Sequence, residues 1–340
     1  MRMMNVAVVG ATGLVGETIL HILSERKFPV QTLYPLASAR STATTVSFGG
    51  QELDVLDVET FNFSDVDIAF FSAGSDVSTR HVPRAVEAGC VVIDNTACFR
   101  YETDVPLVIP EVNPESIAEY HHRGIIANPN CSTIQMLVAL KPWHDAVGIA
   151  RINVVTYQAV SGTGREAVSE LLSQLGELVN GRPIKKPKVY PQQIAFNVLP
   201  HIDEFGDNGY TREEMKMVLE TQKILNDSSI LVNPTTVRVP VLFGHSEAIH
   251  VELRAPLSVE KARALLKKAP GVCVVDDVKR AKYPTPMSNA VGHDEVFVGR
   301  LRQDISHPCG LNLWVVADNI RKGAATNSIQ IAEILCSKYL

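Results

Sequence analysis

The chain has 340 residues, 46% of them hydrophobic and 20% charged, which is the make-up of a globular protein and excludes a disordered or fibrous one. Its 32 Lys and Arg stand against 37 Asp and Glu, and the net charge of −5 gives no overall drive toward nucleic acid or an anionic membrane. Six cysteines with no C-x-x-C pair exclude a disulfide scaffold and a zinc ribbon, and no apolar run approaches the roughly 20 residues of a membrane span, so a cytoplasmic location is expected.

The stretch Asn5-Val6-Ala7-Val8-Val9 reads as a short buried strand of a parallel sheet. Gly10-Ala11-Thr12-Gly13-Leu14-Val15-Gly16 follows at once, and after it Ile19, Leu20, Ile22 and Leu23 stand at helical spacing. Glycines between a strand and a helix are what a dinucleotide requires: Gly10 for the tight turn, Gly13 for close approach of the pyrophosphate, Gly16 for helix-on-strand packing. The end of the next strand normally supplies an acid for the adenosine ribose. Here Ala37-Ser38-Ala39-Arg40-Ser41-Thr42 offers a guanidinium and hydroxyls instead, which predicts NADP over NAD.

Further strands are expected at Ile68 to Phe71 and Val91 to Asp94, with a helix near Val77 to Glu87 between them. This alternation predicts a Rossmann-type nucleotide domain over residues 1–127. Asn128-Pro129-Asn130-Cys131-Ser132-Thr133 then opens a helix with Cys131 in its first turn, where unpaired backbone N–H groups favour a thiolate. In a nicotinamide enzyme such a thiolate attacks a carbonyl carbon and passes through a thioester. Gln158, at the polar end of a strand from Ile152 to Thr156, is a plausible contact for it.

A strand over Val237 to Leu242 would carry Arg238, a candidate carboxylate fork, seven residues before His245, a candidate proton carrier. Each taken alone also fits a surface arginine or a structural histidine. Glu213 and Lys216, on a helix from about Thr211 to Asn226, fit an ordinary surface ion pair. Arg182 to Lys188 is the one basic cluster and reads as an exposed loop, and His121-His122 lacks further ligands at zinc spacing, so neither nucleic acid nor metal is expected.

Over essentially its whole length the chain resembles the aspartate-β-semialdehyde dehydrogenases. The resemblance lies in the Gly10 to Gly16 turn, Ala37 to Ser41, Asn128 to Thr133, Gln158 with Ser161-Gly162, Glu213 with Lys216, and Arg238 with His245. It implies Cys131 as nucleophile, His245 as general acid/base, and Gln158, Arg238 and Glu213 at the substrate. Arg100 and Lys216 would be the phosphate-binding pair. Gly10, Thr12, Gly13, Leu14, Val15, Arg40, Ser41, Ser161, Gly162 and Asn319 are expected at NADP. The family reduces L-aspartyl-4-phosphate to L-aspartate 4-semialdehyde on the way to lysine or diaminopimelate, methionine and threonine.

The resemblance also implies a homodimer built on the sheet of an α+β catalytic domain, residues 128–318, with strands at Ala248 to Leu253 and Leu311 to Ala317. A long antiparallel-type sheet is expected there. The last helix, about Gly323 to Lys338 within a segment 319–340, would complete the nucleotide domain. Rival readings are an N-acetyl-glutamyl-phosphate reductase-like enzyme and a catalytically silent paralogue that acts as a binding protein. The presence of both Cys131 and His245 weighs against the second. Cys98, two residues before Arg100, reads as a small packed side chain.

Overall fold

The computed structural model describes residues 2–340, and Met1, the first residue of the expected nucleotide domain, lies outside them. The chain divides into two units, one running to Asn130 and taking in Ala324–Leu340, the other Cys131–Gly323. The expected breaks at 127/128 and 318/319 fall slightly before these, and Asn319 accordingly lies in the second unit.

The first unit begins with β1 (Met4–Val9), α1 (Leu14–Glu25) and β2 (Val30–Ala37). A hairpin of β3 (Thr45–Phe48) and β4 (Gln51–Asp54) precedes β5 (Leu56–Asp57). Then come β6 (Ile68–Phe71), α2 (Ser75–Glu87), β7 (Val91–Asp94) and β8 (Ile125–Ala127). The main sheet runs in the order β5-β2-β1-β6-β7-β8 and every pairing in it is parallel. Its central strands are mostly apolar, as a sheet covered on both faces demands, with Val6 to Val9 of β1 and all of Ile68 to Phe71 buried. The order reverses at β1, so the crevice beyond its C-terminal end is where a doubly wound sheet takes its ligand. Helix Thr326–Lys338 adds Ile329, Ala332 and Leu335 to the same core. Regular helix thus starts later than expected, after a wider turn at Arg321–Ala325.

The second unit opens with α3 (Cys131–Val147) and β9 (Ile149–Gln158), followed by α4 (Arg165–Val179) and α5 (Arg212–Ile224). It continues through β10 (Leu231–Arg238), β11 (His245–Leu253), α6 (Val259–Leu266) and β12 (Val272–Val274) to β13 (Val296–Gln303) and β14 (Gly310–Ala317). The sheet order is β10-β9-β11-β14-β13-β12. It is mixed rather than antiparallel throughout, because β9 and β10 pair in parallel, as do β12 and β13. Strict alternation sends His245, Glu247, Ile249, Val251 and Leu253 of β11 to the buried face. Helix α3 covers that face and is buried along most of its length, with Trp143 fully enclosed and donating from its indole N–H to Ala262 O at 3.0 Å.

The expected strand from Val237 to Leu242 is displaced. Strand β10 ends at Arg238, since Pro240 has no N–H to continue a ladder and Val241 N–H turns back to Val239 O. Its earlier residues were hidden by Pro234, which an edge strand tolerates. Among the described residues no helix is long and apolar enough to cross a membrane. No group of three or more His, Cys, Asp or Glu side chains is placed among them to hold a metal ion.

Candidate active site

The first unit carries the nucleotide turn. Gly10 has φ +90°, a conformation that favours glycine, and a Cβ there would meet Ser72 Oγ at 3.0 Å. At Gly16 a Cβ would come within 2.0 Å of Gly10 O, so only glycine lets α1 lie this close to the turn. Gly13 is the N-cap of α1 and has no side chain over the helix N–H groups. Strand β2 ends at Ala37, and the single helical turn Ala39–Ser41 that follows exposes Arg40 beside the half-buried Ser41. Glycine backbone under a helix N-terminus, with a cation and hydroxyl in place of an acid, fits NADP. Arg100, also in this unit, is buried, and its Nη2 donates to Asn95 O at 2.8 Å.

In the second unit strand register assembles a row of side chains. Arg238 on β10 pairs with Gln158 on β9, and Ser246 pairs with Tyr157, which sets His245 at the same level of β11. Ala159, next after Gln158, ties the row together. Its N–H donates to His245 Nδ1 at 3.0 Å and its C=O accepts from Arg238 Nη1 at 2.6 Å. A Cβ on Gly162 would lie 2.9 Å from Arg238 Nη1 and 3.2 Å from His245 Nε2, so this glycine gives the two side chains their room.

Cys131 is the first residue of α3, the position that exposes it to the unpaired N–H end of the helix. A Cβ on Gly323 would approach Cys131 Cβ to 2.8 Å, which makes that glycine a packing requirement of the thiol. The neighbouring Ser132 Oγ accepts from Gln158 Nε2 at 3.0 Å, linking the start of α3 to the row. Gln158 Nε2 also lies 3.2 Å from Glu213 Oε1, and Glu213 Oε2 accepts from Lys216 Nζ at 3.0 Å. Lys216 donates as well to Asp203 Oδ2 at 2.8 Å. Glu213 and Lys216 are therefore not the expected surface pair. Their helix is anchored by a capping box at Thr211, and its Glu214 reaches Thr236 N–H at 2.9 Å, which turns this face inward.

Electrostatics fix the protonation of two of these groups. Burial, reinforced by the Arg238 charge and only partly opposed by Glu213, lowers the His245 pKa to about 3. The ring is neutral, and because Nδ1 accepts from Ala159 the proton sits on Nε2, which has no hydrogen-bond partner among the described residues. Burial works against the charge of Lys216, but the Glu213 and Asp203 carboxylates outweigh it and hold this ammonium above its ordinary range. Arg238 is buried with its Nε unpartnered, so donor capacity remains for an incoming anion.

Cys131, Gln158, Glu213, Lys216, Arg238, His245, Ser161, Gly162 and Asn319 all lie in the second unit. Ser161 and Asn319 are hydrogen-bonded side chain to side chain at 3.0 Å, and Asn319 Oδ1 accepts from Gly244 N–H at 2.8 Å, next to His245. The sequence reading missed Ala159, Asp203, Ser132 and Gly323. Ala159 and Ser132 act through groups that carry no signature, whereas Gly244 before His245, with φ +86°, is the kind of signal that marks a forced turn.

Residues 5–120 match the family described as semialdehyde dehydrogenase, NAD binding domain, and residues 140–322 match semialdehyde dehydrogenase, dimerisation domain. The chain is 68% identical over 339 residues to an aspartate-semialdehyde dehydrogenase of Legionella pneumophila, covering 100% of this chain and 97% of that one. It is similar to the crystal structure of aspartate semialdehyde dehydrogenase II of Vibrio cholerae complexed with ASA, with 58% identity, full coverage of both chains and a TM-score of 0.98. A more distant likeness, 28% identity and TM-score 0.78 over 99% of each chain, is to the Candida albicans enzyme with NADP. The chain therefore belongs to the aspartate-semialdehyde dehydrogenase family and is an oxidoreductase with a nicotinamide-nucleotide-binding domain.

Proposed function

We propose that the chain reduces L-aspartyl-4-phosphate to L-aspartate 4-semialdehyde, reversibly, through a thioester on Cys131. The observation that carries this reading is the tie of His245 and Arg238 to the two backbone groups of Ala159, beside a glutamine bonded to the residue after Cys131. The Cys131 thiolate attacks the acyl carbon, the C–S bond forms and the C–O bond to phosphate breaks. The one proton consumed overall ends on the released phosphate. Bound NADPH supplies the hydride for the second half of the reaction.

The chain's own residues manage charge. His245 Nε2–H donates to the oxygen that becomes an alkoxide, and collapse of that alkoxide expels the Cys131 thiolate with no proton gained or lost. A neutral imidazole is then sufficient, and its donor is fixed before the reaction begins. The acid/base role expected for His245 narrows to that of an N–H donor. Arg238 binds the α-carboxylate through its planar fork. Gln158 is pinned by Ser132 and Glu213 and orients the thioester, and Glu213 faces the substrate amine. Lys216 holds phosphate, the role the resemblance also gives to Arg100. Arg40 and Ser41 meet the 2′-phosphate of NADP, and Thr12 to Val15, Ser161, Gly162 and Asn319 complete the cofactor contacts. Two copies form a homodimer through the domain of the second unit, in the cytoplasm, serving lysine or diaminopimelate, methionine and threonine synthesis.

The experiment is NADP reduction by the purified protein with L-aspartate semialdehyde, with and without inorganic phosphate. Phosphate-dependent NADPH formation supports the reading. Silence with this aldehyde and turnover with the longer, acylated one would transfer it to an N-acetyl-glutamyl-phosphate reductase.

A further inference from the structure

Behind the row of Arg238, Gln158 and His245 the sheet carries another row on the same face, Thr236, Thr156 and Glu247. A carboxyl under a covering helix is unusual at such a position, where a β-branched aliphatic would pack. Glu247 is 0% exposed, and among the described residues neither of its oxygens meets a partner in hydrogen-bond geometry. Burial pushes it well above the ordinary carboxylate range, and only the Gln135 amide opposes this.

Gln135 lies on α3 one turn beyond Cys131 and is itself 1% exposed. Its Oε1 and Nε2 are also without partners, although the amide is close enough to act on the Glu247 carboxyl. Two neighbouring buried side chains thus present four unsatisfied polar atoms, and a buried polar atom left so loses the hydrogen bonds it made to water in the unfolded chain. A neutral carboxylic acid and a primary amide satisfy all four at once through a ring of two hydrogen bonds. The acid O–H donates to Gln135 Oε1, and Gln135 Nε2–H donates to the acid carbonyl oxygen. A carboxylate would set an anionic oxygen against Oε1 and lose the ring.

We propose that Glu247 and Gln135 form this acid–amide pair, a positioning element that holds Cys131, at the start of α3, in register with His245, at the start of β11. The inference rests on the reading in which those two groups meet the reacting carbonyl. Glu247 touches no reactant. It acts through the two elements it joins, β11 two residues from His245 and α3 four residues from Cys131.

The test compares Glu247→Gln, Glu247→Leu, Gln135→Leu and the double leucine variant. An amide in place of the acid rebuilds the ring, so Glu247→Gln keeps kcat within about threefold with an unchanged pH profile. Each leucine variant lowers kcat about tenfold or more while the KM for NADP stays near wild type, because misplaced reacting groups slow chemistry without loosening cofactor. The double variant is no worse than either single one, as expected for two members of one pair. In parallel, the infrared difference spectrum of wild type minus Glu247→Gln at neutral pH shows the carbonyl stretch of a protonated carboxyl. Glu247→Gln as impaired as Glu247→Leu, wild-type kcat in Glu247→Leu, or absence of that stretch each overturns the proposal. Should the leucine variants fail to fold, the infrared band and Glu247→Gln decide it. Failure of the covalent reading itself is distinguishable, since it appears as a wild-type enzyme that forms no acyl-cysteine.

Discussion

In the first unit the proposed cofactor turn is written along seven consecutive residues, Gly10 to Gly16, and depends on backbone: a positive φ at Gly10 and a Cβ that has no room at Gly16. In the second unit the site is drawn from α3, β9, α5, β10 and β11, between Cys131 and His245, and depends on register. A backbone site is local and tolerates no side chain. A register site is distributed, and each member is set by what its neighbours satisfy. The two therefore break differently.

The largest effect belongs to the proposed nucleophile. Cys131→Ala is expected to lower kcat by about 10⁴-fold or more with NADP binding intact, because covalent catalysis has no substitute in the row. Stopped-flow turnover and cofactor titration check both halves, and normal turnover would remove the thioester from the account. Next comes His245→Asn, which removes the Nε2–H donor and should cost about 10²–10³ in kcat, the usual loss for one oxyanion donor.

His245 also carries a pH signature. In the folded chain it stays neutral down to about pH 3, whereas the unfolded chain takes up a proton near 6.5. The unfolded state binds the extra proton, so this group's share of stability falls as pH drops from 6.5 toward 3, by about 1.4 kcal/mol per unit. Urea melts at pH 8 and pH 5 should show wild type losing about 2 kcal/mol more than His245→Asn. Equal losses would mean that the folded ring titrates normally.

Arg238→Lys replaces the fork by a point charge and should raise the KM for the aldehyde about 10–100-fold with a smaller change in kcat. In the nucleotide turn, Arg40→Ala should weaken NADP about tenfold and leave NAD unaffected, since the exposed guanidinium serves only the 2′-phosphate. An equal loss for both nucleotides would assign Arg40 to the fold instead. The smallest effect concerns Cys98, whose thiol lies 3.1 Å from Thr79 Oγ1 and is pushed up by burial. It should alkylate more slowly than Cys131, as peptide mapping after brief thiol labelling would show.

Legibility followed the same division. The turn, the missing acid after β2 and the thiol at the start of α3 could be read directly, because each is a short-range pattern with a physical need behind it. Arg238 and His245 stood out as candidates, but their meeting depends on Gly162 and on both backbone groups of Ala159, which a linear pattern does not encode. Glu213 and Lys216 looked like a surface pair because i,i+3 spacing is the same whether a helix face points to water or inward. Strand β10 was misplaced for a related reason. Pro234 argues against a strand in general and permits one only at an edge, and edge status is a property of the whole sheet. Glu247 and Gln135 gave no signal at all, since a lone glutamate between a serine and an alanine reads as solvated.

In the proposed reaction all carbonyl chemistry passes through Cys131. Rapid mixing of enzyme and NADP with L-aspartate semialdehyde in phosphate-free buffer, followed by intact mass measurement, tests it directly. The expected result is a burst of one NADPH per active chain and an aspartyl adduct on Cys131 that inorganic phosphate releases. NADPH formation that continues at the steady rate without phosphate, or a burst that survives in Cys131→Ala, would contradict it.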